Sequence, residues 1–196
     1  RNLPEWPVAF FAGILAGAIV TPLNGWWTGP ELQYGLADSG TRVAIVDDER
    51  LERYLQTPTK RDIHVIAVRT DRDLPAGGVR WADVMATADP GSLPPAEIDP
   101  DDDATIFYTS GTTGFPKGAQ LHHRGSVINV MNIASMTAAA SAGIAKAVAA
   151  GDLAAPPPPP PALPPVFMAP TPLFHVTACN CILHPATLVG GTLVLM

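Results

Sequence analysis

Tyr108-Thr-Ser-Gly-Thr-Thr-Gly-Phe-Pro-Lys-Gly118 joins two β-rich runs, Ala104–Thr109 and Ala119–His122. Between Thr109 and Gly118 fall four aliphatic hydroxyls, three glycines and one lysine. Gly111 and Gly114 permit positive φ and let backbone N–H groups converge in a tight loop. The hydroxyls of Thr109, Ser110, Thr112 and Thr113 add donors, and Lys117 adds a point charge. Converging N–H groups, hydroxyls and one ammonium suit a polyphosphate. The spacing is not that of a Walker loop, which places Lys directly after the second glycine and a helix at once. Here Phe115-Pro116 intervenes, and Gly118 and a strand follow. The dinucleotide pattern G-x-G-x-x-G is absent as well. A flexible linker, the bland alternative, rarely sets Pro-Lys-Gly between two β-rich runs.

Outward from this loop the pattern alternates. Pro4 to about Gly17 reads as a helix, and Ala18–Leu23 as a short buried strand. Pro30–Ser39 reads as a second helix, with Pro at its first position and Gly40 just past its end. Arg42–Val46 is a β-branched run, and Asp47 is placed to cap an acidic helix running to about Leu55. His64–Val68 is the next strand. Strand–helix alternation of this kind marks an α/β layer architecture with parallel pairing. Residues 71–103 are rich in Asp, Pro and Gly and read as a surface connection with one short helix near Trp81–Ala86. The acidic run Asp99–Asp103 reads as solvated loop, not as a metal site. After the loop, a helix runs from about Arg124 to at least Met136, with an extension beyond Ala145 left open. Val166–Ala169 is a buried strand, Phe174–Leu188 contains a helix, and Thr192–Met196 is a strand. Of the 22 prolines, eight lie between Pro156 and Pro165. The tract Pro156–Pro161 reads as an exposed polyproline II spacer.

Composition narrows the classes of function. The chain has 196 residues and a net charge of −6, from 12 Lys and Arg against 18 Asp and Glu. That balance gives no support to nonspecific nucleic-acid binding, which needs a basic face. The apolar run Val8–Val20 is too short to span a membrane and lacks the basic flank of a signal sequence, so it reads as a buried core helix. No transmembrane segment is expected; peripheral membrane contact is left open. Cys179 and Cys181, one residue apart, are poorly spaced for a mutual disulfide and read as small buried hydrophobes in a reducing, cytoplasmic setting. Charged residues are only 15%, below the usual quarter, so part of the surface is expected to be covered. The start at Arg1 and the apolar end at Thr192–Met196 read as a cut through a larger protein.

The loop resembles the phosphate-binding signature of the adenylate-forming superfamily, which includes acyl-CoA synthetases, fatty-acyl-AMP ligases, adenylation domains and luciferases. Thr171-Pro-Leu-Phe-His-Val176 is similar to the downstream segment that lines the acyl pocket in that superfamily, and Gly190-Gly-Thr-Leu-Val194 to the strand that follows it. Asn2–Trp6, Ala18–Asn24 and Glu31–Ser39 resemble its first helices and strand. Trp26-Trp27-Thr-Gly29 and Phe174-His-Val176 fit fatty-acid–CoA ligases best. The resemblance implies an α/β fold, part of the large N-terminal domain of the multilayer αβαβα architecture. Its segments would be 1–70 (first α/β segment), 71–103 (connection), 104–135 (phosphate-loop unit), 136–165 (variable Pro-rich loop) and 166–196 (acyl-pocket segment).

The resemblance also implies an activity: a carboxylate and ATP give acyl-AMP and pyrophosphate, and coenzyme A then displaces AMP. Thr109, Ser110, Gly111, Thr112, Thr113, Gly114 and Lys117 would hold the ATP phosphates. Thr109 would contact Mg²⁺, and Phe174 and His175 would line the site for a fatty acid or other carboxylate. His122 and His123 read as structural and His184 as interior or subunit-facing; a homo-oligomer is compatible with the low surface charge. The catalytic and adenine-binding motifs of the superfamily have no counterpart here, so the 196 residues are expected to be inactive alone. A fatty-acyl-AMP ligase that loads a carrier protein and a non-catalytic truncated paralogue are the alternatives.

Overall fold

The computed structural model describes residues 1–56, 62–89, 91–111, 114–157 and 164–196, and divides into units Arg1–His122 and His123–Met196. The first unit opens with α1 (Glu5–Leu15) and α2 (Gly29–Asp38). Thr28 starts α2: its backbone N–H and hydroxyl both donate to Glu31 Oε2 at 2.8 Å, which holds the Glu31 carboxyl below its ordinary pKa. Gly40, at φ +68°, stops the chain from continuing as helix.

β1 (Val43–Asp47), α3 (Asp48–Gln56) and β2 (His64–Val68) form the expected alternating unit. β1 and β2 run parallel from Val43 opposite His64 to Asp47 opposite Val68. Asp47 caps α3, its Oδ1 accepting from the Arg50 N–H at 3.0 Å. A two-residue strand β3 (Val79–Arg80), too short to leave a period in the sequence, pairs parallel to β2 and leads into α4 (Trp81–Thr87). The core gathers Leu32 and Leu36 of α2, Ala44 and Val46 of β1, Leu51 and Tyr54 of α3, and Val65 and Ala67 of β2.

β4 (Asp103–Thr109) and β5 (Lys117–His122) form an antiparallel hairpin, with Thr109 opposite Lys117. A direct return through a short loop leaves no crossover, so this pair departs from the parallel pattern of β1 and β2. Two expectations are corrected here. Ala18–Leu23 forms only a single parallel bridge, with Val20 bonded to Ala104 and Ile106 at 3.0 Å each. Pro22 has no N–H with which to extend that ladder. The apolar helix α1 is not a buried core helix, since Phe10 alone of its residues is buried. Val8 and Leu15 share one face, about 150° round the axis from Phe10, and are 49% and 48% exposed.

The second unit contains α5 (His123–Ala150), 28 residues, so the helix continues well past Met136. Among the described residues it is the one helix long and apolar enough to cross a membrane by length and composition. β6 (Val166–Ala169) and β7 (Thr192–Leu195) pair in parallel. Between them run α6 (Val176–Ala178), a π-helical turn (Cys179–Leu183) and α7 (His184–Leu188).

Pro185 explains the π turn. It lacks the N–H that an α-helix would direct to Cys181, and the His184 N–H instead reaches back five residues to the Cys179 carbonyl. The Asn180 carbonyl is thereby left without either helical donor, and Asn129 Nδ2 of α5 donates to it at 3.0 Å. Cys179 is buried and Cys181 exposed, both as free thiols. The expectation that both are buried hydrophobes fails for Cys181, because residues two apart on a helix face opposite ways. Most of the tract Pro156–Pro161 lies outside the described residues.

Leu51 is fully buried at the centre of the first unit. Leu51→Ala is expected to lower unfolding stability by about 2–5 kcal/mol in urea denaturation, through lost burial and the cavity left behind.

Candidate functional site

The hairpin brings both ends of the loop together. Thr109 closes β4 and Lys117 opens β5, and the Thr109 hydroxyl donates to the Lys117 carbonyl at 3.4 Å. Thr109, Ser110, Gly114 and Lys117 are exposed and Gly111 is half-buried. Thr112 and Thr113 lie outside the described residues. A Cβ at Gly111 would lie 2.7 Å from the Phe115 carbonyl oxygen, so the two arms of the loop approach each other as only glycine allows. Gly114 sits at φ +131°, a conformation L side chains rarely adopt.

Gly118 has a different task. A Cβ there would meet Ile106 Cγ2 at 2.7 Å and Tyr108 Cζ at 3.4 Å. Its absence makes room for the Tyr108 ring opposite it in the hairpin. The Tyr108 hydroxyl donates to Asp38 Oδ2 at 2.6 Å. Burial, then that bond to the Asp38 carboxylate, push the Tyr108 phenol above its ordinary pKa. Trp27 meets the Tyr108 ring edge-on, with centroids 5.5 Å apart. On the outgoing arm of the loop, Tyr34 stacks on Phe115 and donates through its hydroxyl to the Pro116 carbonyl at 3.1 Å. Tyr34 and Asp38 are four residues apart on α2, hence on one face.

α3 holds Trp27 from the other side. Arg50 Nε donates to the Gly25 carbonyl at 2.9 Å, and Arg53 Nη1 donates to the Gly25 and Trp27 carbonyls at 3.1 and 2.7 Å. Asp47 Oδ2 pairs with Arg50 Nη1 at 3.0 Å, both side chains being mostly buried. The sequence reading missed Tyr34, Asp38, Arg50 and Arg53 as parts of this assembly, and Trp27 as the link between them. The i, i+4 spacing of Tyr34 and Asp38 on a capped helix was the available signal.

The loop fits polyphosphate: its exposed lysine and hydroxyls stand on a backbone closed by glycine. Mg²⁺ fits differently. Thr109 offers one hydroxyl, and no group of three or more His, Cys, Asp or Glu among the described residues could hold a metal. An ion here would take most of its oxygens from the phosphates themselves.

In the second unit, His175 is the N-cap of α6, its Nδ1 accepting from the Thr177 N–H at 3.2 Å. An imidazole that accepts at Nδ1 carries its proton at Nε2 when neutral, so the exposed ring presents Nε2–H as a donor. Phe174 precedes it, half-buried. Nearby, Cys179 Sγ lies 3.7 Å from His184 Nε2. His122, in the first unit, faces Asp103, Nδ1 to Oδ1 at 3.4 Å.

The model of the AMP-binding enzymes matches residues 1–196. The chain belongs to the AMP-binding enzyme family. It is 30% identical to 4-coumarate–CoA ligase 2 of Oryza sativa over 206 aligned residues, covering 100% of this chain and 33% of that protein. Against feruloyl-CoA synthase of an Amycolatopsis species it is 33% identical over 194 residues, covering 99% of this chain and 32% of that protein. The crystal structure of the anthranilate CoA ligase AuaEII with anthranoyl-AMP superposes with a TM-score of 0.73 at 23% identity, over 100% of this chain and 33% of that one. The fold is therefore that of the N-terminal domain of adenylate-forming enzymes, and the chain spans about a third of the length of the curated relatives it matches.

Burial lowers the pKa of His184 and pushes the Cys179 thiol up to about 12. Unfolding returns His184 to about 6.5, so below that pH the unfolded chain binds the extra proton first. Stability is expected to fall as pH drops through 6.5, and His184→Gln to remove part of that slope in urea titrations at pH 7 and 5.

Proposed function

We propose that this AMP-binding family chain carries the phosphate-loop part of an ATP-dependent carboxylic acid–CoA ligase. The observation that carries the reading is the hairpin Thr109–Lys117, whose loop is closed by Gly111 on Phe115 inside a chain matched throughout by the family. In the proposed reaction the carboxylate attacks the α-phosphorus of ATP, the bond to the β-phosphate oxygen breaks, and pyrophosphate leaves. The coenzyme A thiol then attacks the acyl carbon and AMP departs, the thiol proton passing to solvent.

The chain's own residues would act mainly by placing and neutralising charge. Thr109, Ser110, Gly111, Thr112, Thr113 and Gly114 would offer N–H and hydroxyl donors to the β- and γ-phosphates. Lys117 would balance the charge that gathers on the departing pyrophosphate. Mg²⁺, when bound, supplies further charge compensation at those same oxygens. His175, donating through Nε2–H, and Phe174 would face the carboxylate and its acyl group.

For the acid, Trp26-Trp27-Thr-Gly29 and Phe174-His-Val176 support a fatty acid. The names of the relatives at 30% and 33% identity, a 4-coumarate ligase and a feruloyl-CoA synthase, favour a second reading, an aryl acid. Both readings share the same loop chemistry.

ATP–pyrophosphate exchange by the full gene product, run with fatty, benzoic and hydroxycinnamic acids, decides among them. Exchange dependent on one acid class is expected. Lys117→Met is expected to raise KM for ATP at least about tenfold, the loss of one charge-assisted contact. No exchange with any carboxylic acid overturns the reading. The 196 residues alone, a third of the relatives' length, are expected to give none.

A further inference from the structure

We propose that Tyr34 is a positioning residue for the phosphate loop, holding the peptide unit that precedes Lys117; the inference rests on the ligase reading above. Tyr34 lies on α2, 82 residues from the carbonyl its hydroxyl reaches, so the contact is made by the fold and not by local sequence. Its Oη donates to the Pro116 oxygen at 3.1 Å, while its ring lies nearly parallel to Phe115, 4.8 Å away and tilted by 24°. Phe115 is otherwise 72% exposed.

Two attachments, one polar and one aromatic, therefore fall on consecutive residues of the loop's outgoing arm. The peptide group is planar, so fixing the Pro116 oxygen also orients the Lys117 N–H on its far side. The start of the Lys117 side chain is placed with it. The restraint reaches the incoming arm too, because Gly111 packs against the Phe115 carbonyl as closely as a missing Cβ permits.

The anchor for this restraint is itself rigid. Leu32 and Leu36 fix α2 in the core, on the turns either side of Tyr34. One turn further on, Asp38 accepts from Tyr108 at 2.6 Å, one pair in from the Thr109–Lys117 pair that closes the loop. α2 thus grips both arms beside the loop, the incoming one through Asp38 on Tyr108 and the outgoing one through Tyr34 on Phe115 and Pro116. A loop held this way before the nucleotide arrives loses less conformational freedom on binding. The expected signature is in ATP affinity rather than in the chemical step.

Tyr34→Phe keeps the stacking ring and deletes the hydroxyl, so it tests the hydrogen bond without emptying the site. In the full gene product it is expected to raise KM for ATP about fivefold, the size of one net hydrogen bond, with kcat and KM for the acid within about twofold. Backbone hydrogen exchange at Gly114–Gly118 is expected to speed up by a similar factor without nucleotide. Tyr34→Ala, which also removes the stacking, is expected to show a larger change in both. Unchanged exchange at Gly114–Gly118 or unchanged KM for ATP in folded Tyr34→Phe overturns the proposal. Wild-type protein without ATP–pyrophosphate exchange overturns the ligase reading instead, and the hydrogen-exchange comparison alone then decides whether Tyr34 holds the loop.

Discussion

The first unit depends on the close approach of Trp27 to Gly35. A Cβ on Gly35 would fall 2.5 Å from Trp27 Cζ3, so the indole lies directly on the α2 backbone. Trp27 is buried there, and its other side meets Tyr108 of the hairpin. One aromatic side chain thereby joins α2, the turn before it and the strand that leads into the loop. Burial of such a side chain contributes more than most single contacts, and the edge-on geometry with Tyr108 adds direction to it.

Trp27 is placed by charge as well as by packing. Arg50 and Arg53 donate to the carbonyls of the turn that carries it, and Asp47 and Glu49 neutralise those guanidiniums. Arg50 and Asp47 are mostly buried, where an unpaired ion would be costly. The pairing is satisfied because Asp47 also caps α3, one carboxylate serving the helix start and the arginine at once. The parallel β1–α3–β2 unit, remote from the loop in sequence, in this way sets the orientation of the hairpin. Loop chemistry on such a support follows the general pattern of function carried by loops on a rigid scaffold.

In the second unit a single proline has a comparable reach. Pro185 breaks the helical register, the π turn absorbs the break, and Asn129 satisfies the carbonyl left over. His175 begins the same helical stretch and spends Nδ1 on capping it. The capping bond, a local structural need, is also what selects the ring nitrogen available to a ligand.

Much of this was legible in the residues. Helix α2 was marked by Pro30 and Gly40, α3 by Asp47, and strands β1 and β2 by apolar, β-branched runs, because these signals act within a few residues of where they stand. The loop was legible for the same reason: glycines, hydroxyls and one lysine at short range define its chemistry. The Ala18–Leu23 strand, the burial of α1 and the burial of Cys181 were read wrongly, since each depends on which face meets a neighbour. Tyr34 and Asp38 carried only their i, i+4 spacing on α2 as a signal, and Arg50 and Arg53 carried none. Their partners lie from 25 to 82 residues away, and only folding brings a tyrosine hydroxyl to the one carbonyl that precedes Lys117. The sequence by itself determined the alternation of elements and the residue types that the loop offers. The tertiary structure decided what holds that loop in place, because such contacts exist only once distant segments share a surface.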